Sequence, residues 1–136
     1  MYETFEHTAD IGLRARAADL DTLFSEAAKA FFSVIVENGD EVQAVNEYSI
    51  SVHADERDDL MYDWLAELLY LFDTKHVLLC EFNVSVRDGS LAATVRGEPV
   101  DSDRHRLDME VKAITYHELK VKRDGEEWFA EVIVDL

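Results

Sequence analysis

Trp128-Phe129-Ala130-Glu131-Val132-Ile133-Val134-Asp135-Leu136 closes the chain as an almost unbroken apolar run. Chain ends commonly fray as polar tails. An apolar strand carried to the last residue therefore predicts a terminus held in a sheet. Just upstream, Asp124-Gly125 suits a tight primed turn, because both residues tolerate φ > 0. A two-residue turn there sets Val121 against Trp128, Leu119 against Ala130, His117 against Val132 and Thr115 against Val134 on a core face. His117 is then a core histidine. The other face pairs Glu118 with Glu131 and Ile114 with Asp135. Facing glutamates are unfavourable, so that face is expected to be wet there, or the register to bulge. In either case Asp135 points away from the core.

Working toward the start of the chain, Asp88-Gly89 marks a second hairpin. It joins a strand holding Phe82, Val84 and Val86 to one holding Leu91, Ala93 and Val95. A two-residue loop places Glu81 opposite Arg96 as a cross-strand ion pair. Met61, Trp64, Leu65, Leu68 and Phe72 recur at helical spacing, broadened by Leu60 and Leu71, and Asp55 is read as the cap of that helix. Tyr48, Ile50, Val52 and Ala54 alternate as a strand. Leu20, Leu23, Phe24, Ala27, Ala28, Phe31 and Ile35 give another helical face, with Asp19 as its N-cap and Gly39, after Asn38, as its left-handed stop. Tyr2 to Glu6 reads as a short strand. Ile11, Leu13, Ala15 and Ala17 alternate with Gly12, Arg14 and Arg16 as a second. The order is roughly ββαβαββββ. Short connections make this an α+β two-layer sandwich, a mixed, mostly antiparallel sheet with both helices on one face.

The 136 residues suit one domain with one core. There is no repeat, no low-complexity tract and no Gly/Ser linker. No stretch reaches the ~20 apolar residues of a membrane span, and nothing at the start reads as a signal peptide. Cys80 is the sole cysteine, which excludes an internal disulfide and fits a reducing cytoplasm. It shares strand parity with Phe82 and Val84 and is read as a core residue. The net charge is −17, from 30 acidic and 13 basic residues. Such a field repels free nucleic acid, whose binding depends on Lys and Arg at phosphates. It fits a solvated acidic surface, a salty cytoplasm or attraction to a basic partner protein.

Asp10, Asp135 and the Leu136 carboxylate are hard oxygen ligands of the kind that Ca or Mg prefers. Asp10 has the parity of Arg14 and Arg16, away from the core. The two aspartates therefore meet on one outer face if their strands are neighbours. The Lys112 ammonium is the rival, since it could satisfy the same carboxylates. Gly97 to His105 is a polar excursion between strands, and loops carry function more often than cores do. Glu98, Asp101, His105 and Lys112 bring acid, base and charge together there. His7 is a further candidate for partner contact or for support of the carboxylates. His105 is placed at the surface, and Arg14 and Arg16 could meet a phosphate.

These residues resemble a known family. His7-Thr8-Ala9-Asp10-Ile11-Gly12, the WLAELLYLFD stretch from Trp64 to Asp73, the Gly97-to-His105 loop, Val111-Lys112-Ala113-Ile114-Thr115-Tyr116-His117 and the Asp135 ending look like archease, in order along the whole chain. The resemblance implies a non-catalytic activator of the RtcB-type tRNA-splicing RNA ligase, one that promotes ligase guanylylation and multiple turnover. It also implies a divalent cation, calcium or magnesium, held by Asp10, Asp135 and the main-chain oxygens of Leu136. A cytoplasmic protein with no direct nucleic-acid binding follows. Two other readings stay open. One is a small metal-dependent phosphoester hydrolase built from Asp10, Asp135, His7 and His105, although no G-x-S-x-G elbow, P-loop or H-E-x-x-H is present. The other is a general chaperone or adaptor for basic proteins.

Overall fold

A computed structural model describes residues 1–7 and 9–136, with side chains for all of these except His7. The elements are β1 (Tyr2–His7), β2 (Asp10–Ala17), α1 (Leu20–Ile35), β3 (Asn46–His53), α2 (Arg57–Lys75), β4 (Val77–Arg87), β5 (Ser90–Pro99), β6 (Ala113–Ile114), β7 (Lys120–Asp124) and β8 (Glu127–Asp135). The expected α+β sandwich is present. Its strands are divided between two sheets, and every ladder is antiparallel. One sheet runs β1-β2-β8-β6, with β7 also on β8; the other runs β3-β5-β4.

The inner faces of both sheets meet the helices in one apolar cluster. Leu13, Ala15, Val132 and Val134 come from the first sheet and Ile50, Val84, Leu91 and Val95 from the second. Helix α1 fills the gap between them, packing on β2 and on β4. Apolar residues lie around most of its circumference, and Phe24, Ala28, Ala30 and Phe31 are fully buried. It also blocks the free edge of β4. The Asp21 carboxylate accepts the Val86 N–H at 2.7 Å, and the Ser25 hydroxyl donates to the Phe82 carbonyl at 3.2 Å. An uncovered edge would invite pairing with other chains. Helix α2 buries one stripe only: Leu60, Met61, Trp64, Leu65, Leu68 and Leu69. Trp64 is fully buried, and its indole N–H donates to the Phe24 carbonyl at 2.9 Å, which ties the two helices together. No helix among the described residues is long and apolar enough to cross a membrane.

Several local expectations hold. Asp19 caps α1 by accepting the Thr22 N–H. Asp88-Gly89 is a two-residue loop, and Glu81 lies opposite Arg96 with an ion-pair distance of 3.6 Å. Others are corrected. Asp55 does not cap α2; Glu56 stands at that position, without a side-chain bond. Gly39 does not end α1, which stops at Ile35 with Val36 extended; Gly39 instead opens a short 3₁₀ turn. Cys80 is half-buried, because it is the extra residue of a bulge between Leu79 and Glu81.

The last hairpin differs most. Asp124 pairs with Glu127, so the turn is Gly125-Glu126, and Val121 faces Ala130 rather than Trp128. Further along, Ala113 pairs with Asp135 and Ile114 with Val134. Between these two registers the chain leaves the sheet, and Glu118 takes a left-handed φ of +55°. His117 is therefore exposed rather than in the core. The physical reason is charge: the shifted register puts Lys120, not Glu118, opposite Glu131, at 3.4 Å.

At the β4 bulge, a Cβ on Gly97 would run into the Leu78 carbonyl and lie 2.7 Å from the Leu79 Cα. Both obstacles are backbone. Gly97→Ala is expected to destabilise the fold by about 3 kcal/mol, at the upper end for overpacking. A urea midpoint equal to that of the parent chain would contradict this account of the bulge.

Candidate functional site

Asp10 opens β2 and Asp135 closes β8, and their ladder sets the two directly opposite each other. Opposed residues share a face of the sheet, with Cβ atoms about 4.5–5.5 Å apart. That face is the outer one. Gly12, Arg14 and Arg16 share it with Asp10, whereas Ile11, Leu13 and Ala15 join the core. Asp10 is half-buried and Asp135 exposed. Strand β6 brings Lys112 alongside, where its backbone N–H donates to the Asp135 carbonyl at 2.8 Å. The Lys112 side chain is exposed and makes no ion pair among the described residues, so the ammonium rival is not realised. The residue before Asp10 is strained: Ala9 has φ +63°, which costs a residue with a Cβ about 1–2 kcal/mol. Such strain gathers at functional sites. Among the described residues no three His, Cys, Asp or Glu side chains converge. Among the described residues, this end of the sheet brings together the carboxylates of Asp10 and Asp135 and the chain end at Leu136.

Beside the pair, the outer face is closed by charge and aromatic contacts. The Phe5 ring lies over Gly12, in the space where any Cβ would sit. The Arg14 guanidinium stands 4.2 Å from the Phe5 centroid and bonds Glu131 and Glu3. Arg16 pairs with Asp124 at 2.8 Å and covers Phe129. Burial acts to raise the Glu131 pKa, and the Arg14 hydrogen bond and the Lys120 charge outweigh it, so the carboxyl falls below its ordinary value. Arg14 and Arg16, considered from sequence as phosphate contacts, are thus engaged with carboxylates of the chain itself.

The Gly97-to-His105 excursion is a lock. Glu98 and His105 are both buried, at 6% and 3% exposure. Arg104 bonds both Glu98 oxygens, at 2.7 and 2.9 Å, and also reaches the Glu41 carbonyl. The Gln43 N–H donates to Glu98 at 2.6 Å. His105 Nδ1 accepts the Asp101 N–H at 2.9 Å, which leaves Nε2 as the donor to Glu98, 3.2 Å away. Asp101 builds the turn by accepting the N–H groups of Asp103, Arg104 and His105. The surface position expected for His105 is therefore corrected: both ring nitrogens have partners inside the protein. The Arg104 hydrogen bonds, opposed by burial and aided by Gln43 and His105, bring the Glu98 pKa from 4.5 to about 2.

The Archease protein family (MTH1598/TM1083) matches residues 2–136. The chain belongs to this family. Archease proteins of Methanopyrus kandleri and Pyrococcus furiosus are each 38% identical to it, over 99% of this chain and 99% and 98% of theirs. The solution structure of Methanobacterium thermoautotrophicum protein 1598 superposes with a TM-score of 0.87 at 37% identity, over 99% of this chain and 98% of that one. A Thermotoga maritima crystal structure, described as an archease and possible chaperone, shares the fold at a TM-score of 0.63 and 23% identity, over 100% and 98%.

In this archease-family chain, the fold juxtaposes Asp10, Asp135, Leu136 and the Lys112 backbone at one end of the first sheet. Glu98, Asp101 and His105 form a separate, internally bonded group. The His7 backbone pairs with Asp10, and its side chain lies outside the described residues. The role of Arg104 is not legible in the sequence. Its only signal was a cation six residues after a glutamate in a polar loop, which is common on surfaces.

The depressed Glu98 pKa fixes the sign of a pH effect. A carboxyl held lower in the folded state contributes stability above its ordinary value, and loses it as pH falls through the folded one. Glu98→Gln is expected to lower the thermal midpoint at pH 7, with the gap to the parent closing between pH 4.5 and about 2. A gap that stayed constant across that window would contradict the assignment.

Proposed function

We propose that the chain is a non-catalytic accessory protein of an RtcB-type tRNA-splicing RNA ligase, promoting ligase guanylylation and multiple turnover. Membership of the archease family supports the reading, and the cross-strand placement of Asp10 against Asp135 carries it. Two carboxylates facing each other on a wet sheet end are hard, anionic donors. With the main-chain oxygens of Leu136 they fit a divalent cation such as calcium or magnesium. When bound, such a cation supplies a compact positive charge able to face phosphate oxygens. Asp10 and Asp135 would hold and orient it, while the strained Ala9 and the β6 contact fix their strand ends. An activator works here by positioning and electrostatics, with bond formation left to the ligase. The net charge of −17 favours a protein partner over free RNA.

Two measurements test this. Calcium or magnesium titrated calorimetrically into the chain should bind, and Asp10→Asn should weaken binding at least about tenfold, as loss of one of few ligands would. Ligation under multiple-turnover conditions should accelerate on adding the parent chain and not on adding Asp10→Ala, whose circular dichroism should match the parent's. Unchanged turnover and unchanged guanylylated ligase with the parent chain would sink the reading.

A further inference from the structure

The outer side of α2 holds an arrangement that the carboxylate pair does not use. From Asp58 to Thr74 the helix has no Lys, Arg or His. Asp58 turns inward to accept the Val121 N–H at 2.8 Å. Asp59, Asp63 and Glu67 follow one another at i, i+4 spacing and so share a face, where like charges destabilise a helix. Among the described residues no cation pairs with any of them. Arg57, at the helix start, is engaged over the Trp128 ring.

An aromatic stack stands among these carboxylates. Tyr116, from the irregular stretch between β6 and β7, lies on Tyr62 with centroids 4.0 Å apart and planes within 8°. Tyr116 is nevertheless 57% exposed, and Tyr70, three residues beyond Glu67, is 62% exposed. Burial, then the charges of Asp59 and Asp63, and a hydrogen bond with Asp59 raise the Tyr116 pKa. Solubility alone would account for acidic residues here, but not for an exposed Tyr116 ring held in a stack on the core-packed Tyr62.

We propose that the Tyr62–Tyr116 stack and the carboxylates of Asp59, Asp63 and Glu67 form a docking surface for an arginine-bearing segment of a protein partner. A guanidinium is planar, stacks on an aromatic face and bonds carboxylates in pairs, so it matches both elements at once. An ammonium can also sit over a ring, but it lacks the planar stacking and the paired hydrogen bonds. Nucleic acid is disfavoured because its phosphates would meet carboxylates that no cation neutralises. Tyrosine and arginine are also the side chains that dominate interface energetics. The inference rests on this surface alone and stands independently of the ligase reading.

The test is an amide NMR titration at about 0.15 M salt, where distant surface charges are screened. The probes are a blocked tetra-arginine peptide, a blocked tetra-lysine peptide and a single-stranded RNA oligomer. Expected are shifts centred on residues 59–70 and 115–118, with arginine binding about fivefold tighter than lysine, a preference on the order of one exposed ring contact that comes from planar stacking and paired bonding. Tyr116→Ala should remove that preference, and Asp63→Lys should weaken both peptides. Shifts spread over the whole acidic surface, equal affinities, an unaltered preference in Tyr116→Ala, or RNA binding at these residues would each overturn the proposal.

Discussion

Strand β8 bonds to β2 along one edge over eight residue pairs, and to β7 and then β6 along the other. Each of the six residues from Phe129 to Val134 is buried. Ala130, Val132 and Val134 face the helices. Phe129 and Ile133 face outward, where Arg16 and Lys122 lie over the Phe129 ring. A strand covered on both faces and both edges makes most of its contacts with residues distant in sequence. Each fully buried Val or Ile contributes about 1.5–3 kcal/mol relative to exposure. Placing this strand at the centre of its sheet brings Asp135 to Asp10, across more than a hundred residues of chain.

Glu131 sits mid-strand on the outer side and shows how the sheet handles polarity. It is buried, and it is tolerated because Arg14 and Lys120 reach it from the strands on either side. The same requirement selects the β7 register. Glu98 follows the same logic in the other half of the molecule, closed in by Arg104, Gln43 and His105. In both places a buried carboxylate joins segments far apart in sequence. Removing one partner would leave a charge poorly solvated. The Glu131 network holds together the strands that carry the candidate site.

The two helices, the Asp88-Gly89 hairpin and the Asp10 strand were readable because each is a local pattern. Helical spacing of Leu23, Phe24, Ala27 and Phe31, or alternation of Phe82, Val84 and Val86, follows from one element burying one face. The failures share a cause too. Asp124-Gly125 reads as the turn one step before the actual Gly125-Glu126, and 113–124 reads as more continuous than it is. Local turn preference cannot weigh a Lys120–Glu131 pair against a Glu118–Glu131 clash unless the sheet partner is known. His105 reads as exposed because it lies in a polar loop, and it is buried only once Glu98 and Asp101 fold around it.

Sequence by itself determined the α+β class, the outward parity of Asp10 and Asp135, and the acidity that disfavours free nucleic acid. Those depend on side-chain period and composition, which act over a few residues or over the whole chain. Tertiary structure alone decided the division into two sheets, the opposition of Asp10 and Asp135, the enclosure of His105 and the stacking of Tyr116 on Tyr62. Each of these joins segments that no local pattern relates, and each is selected by burial and charge compensation that exist only once the chain has closed.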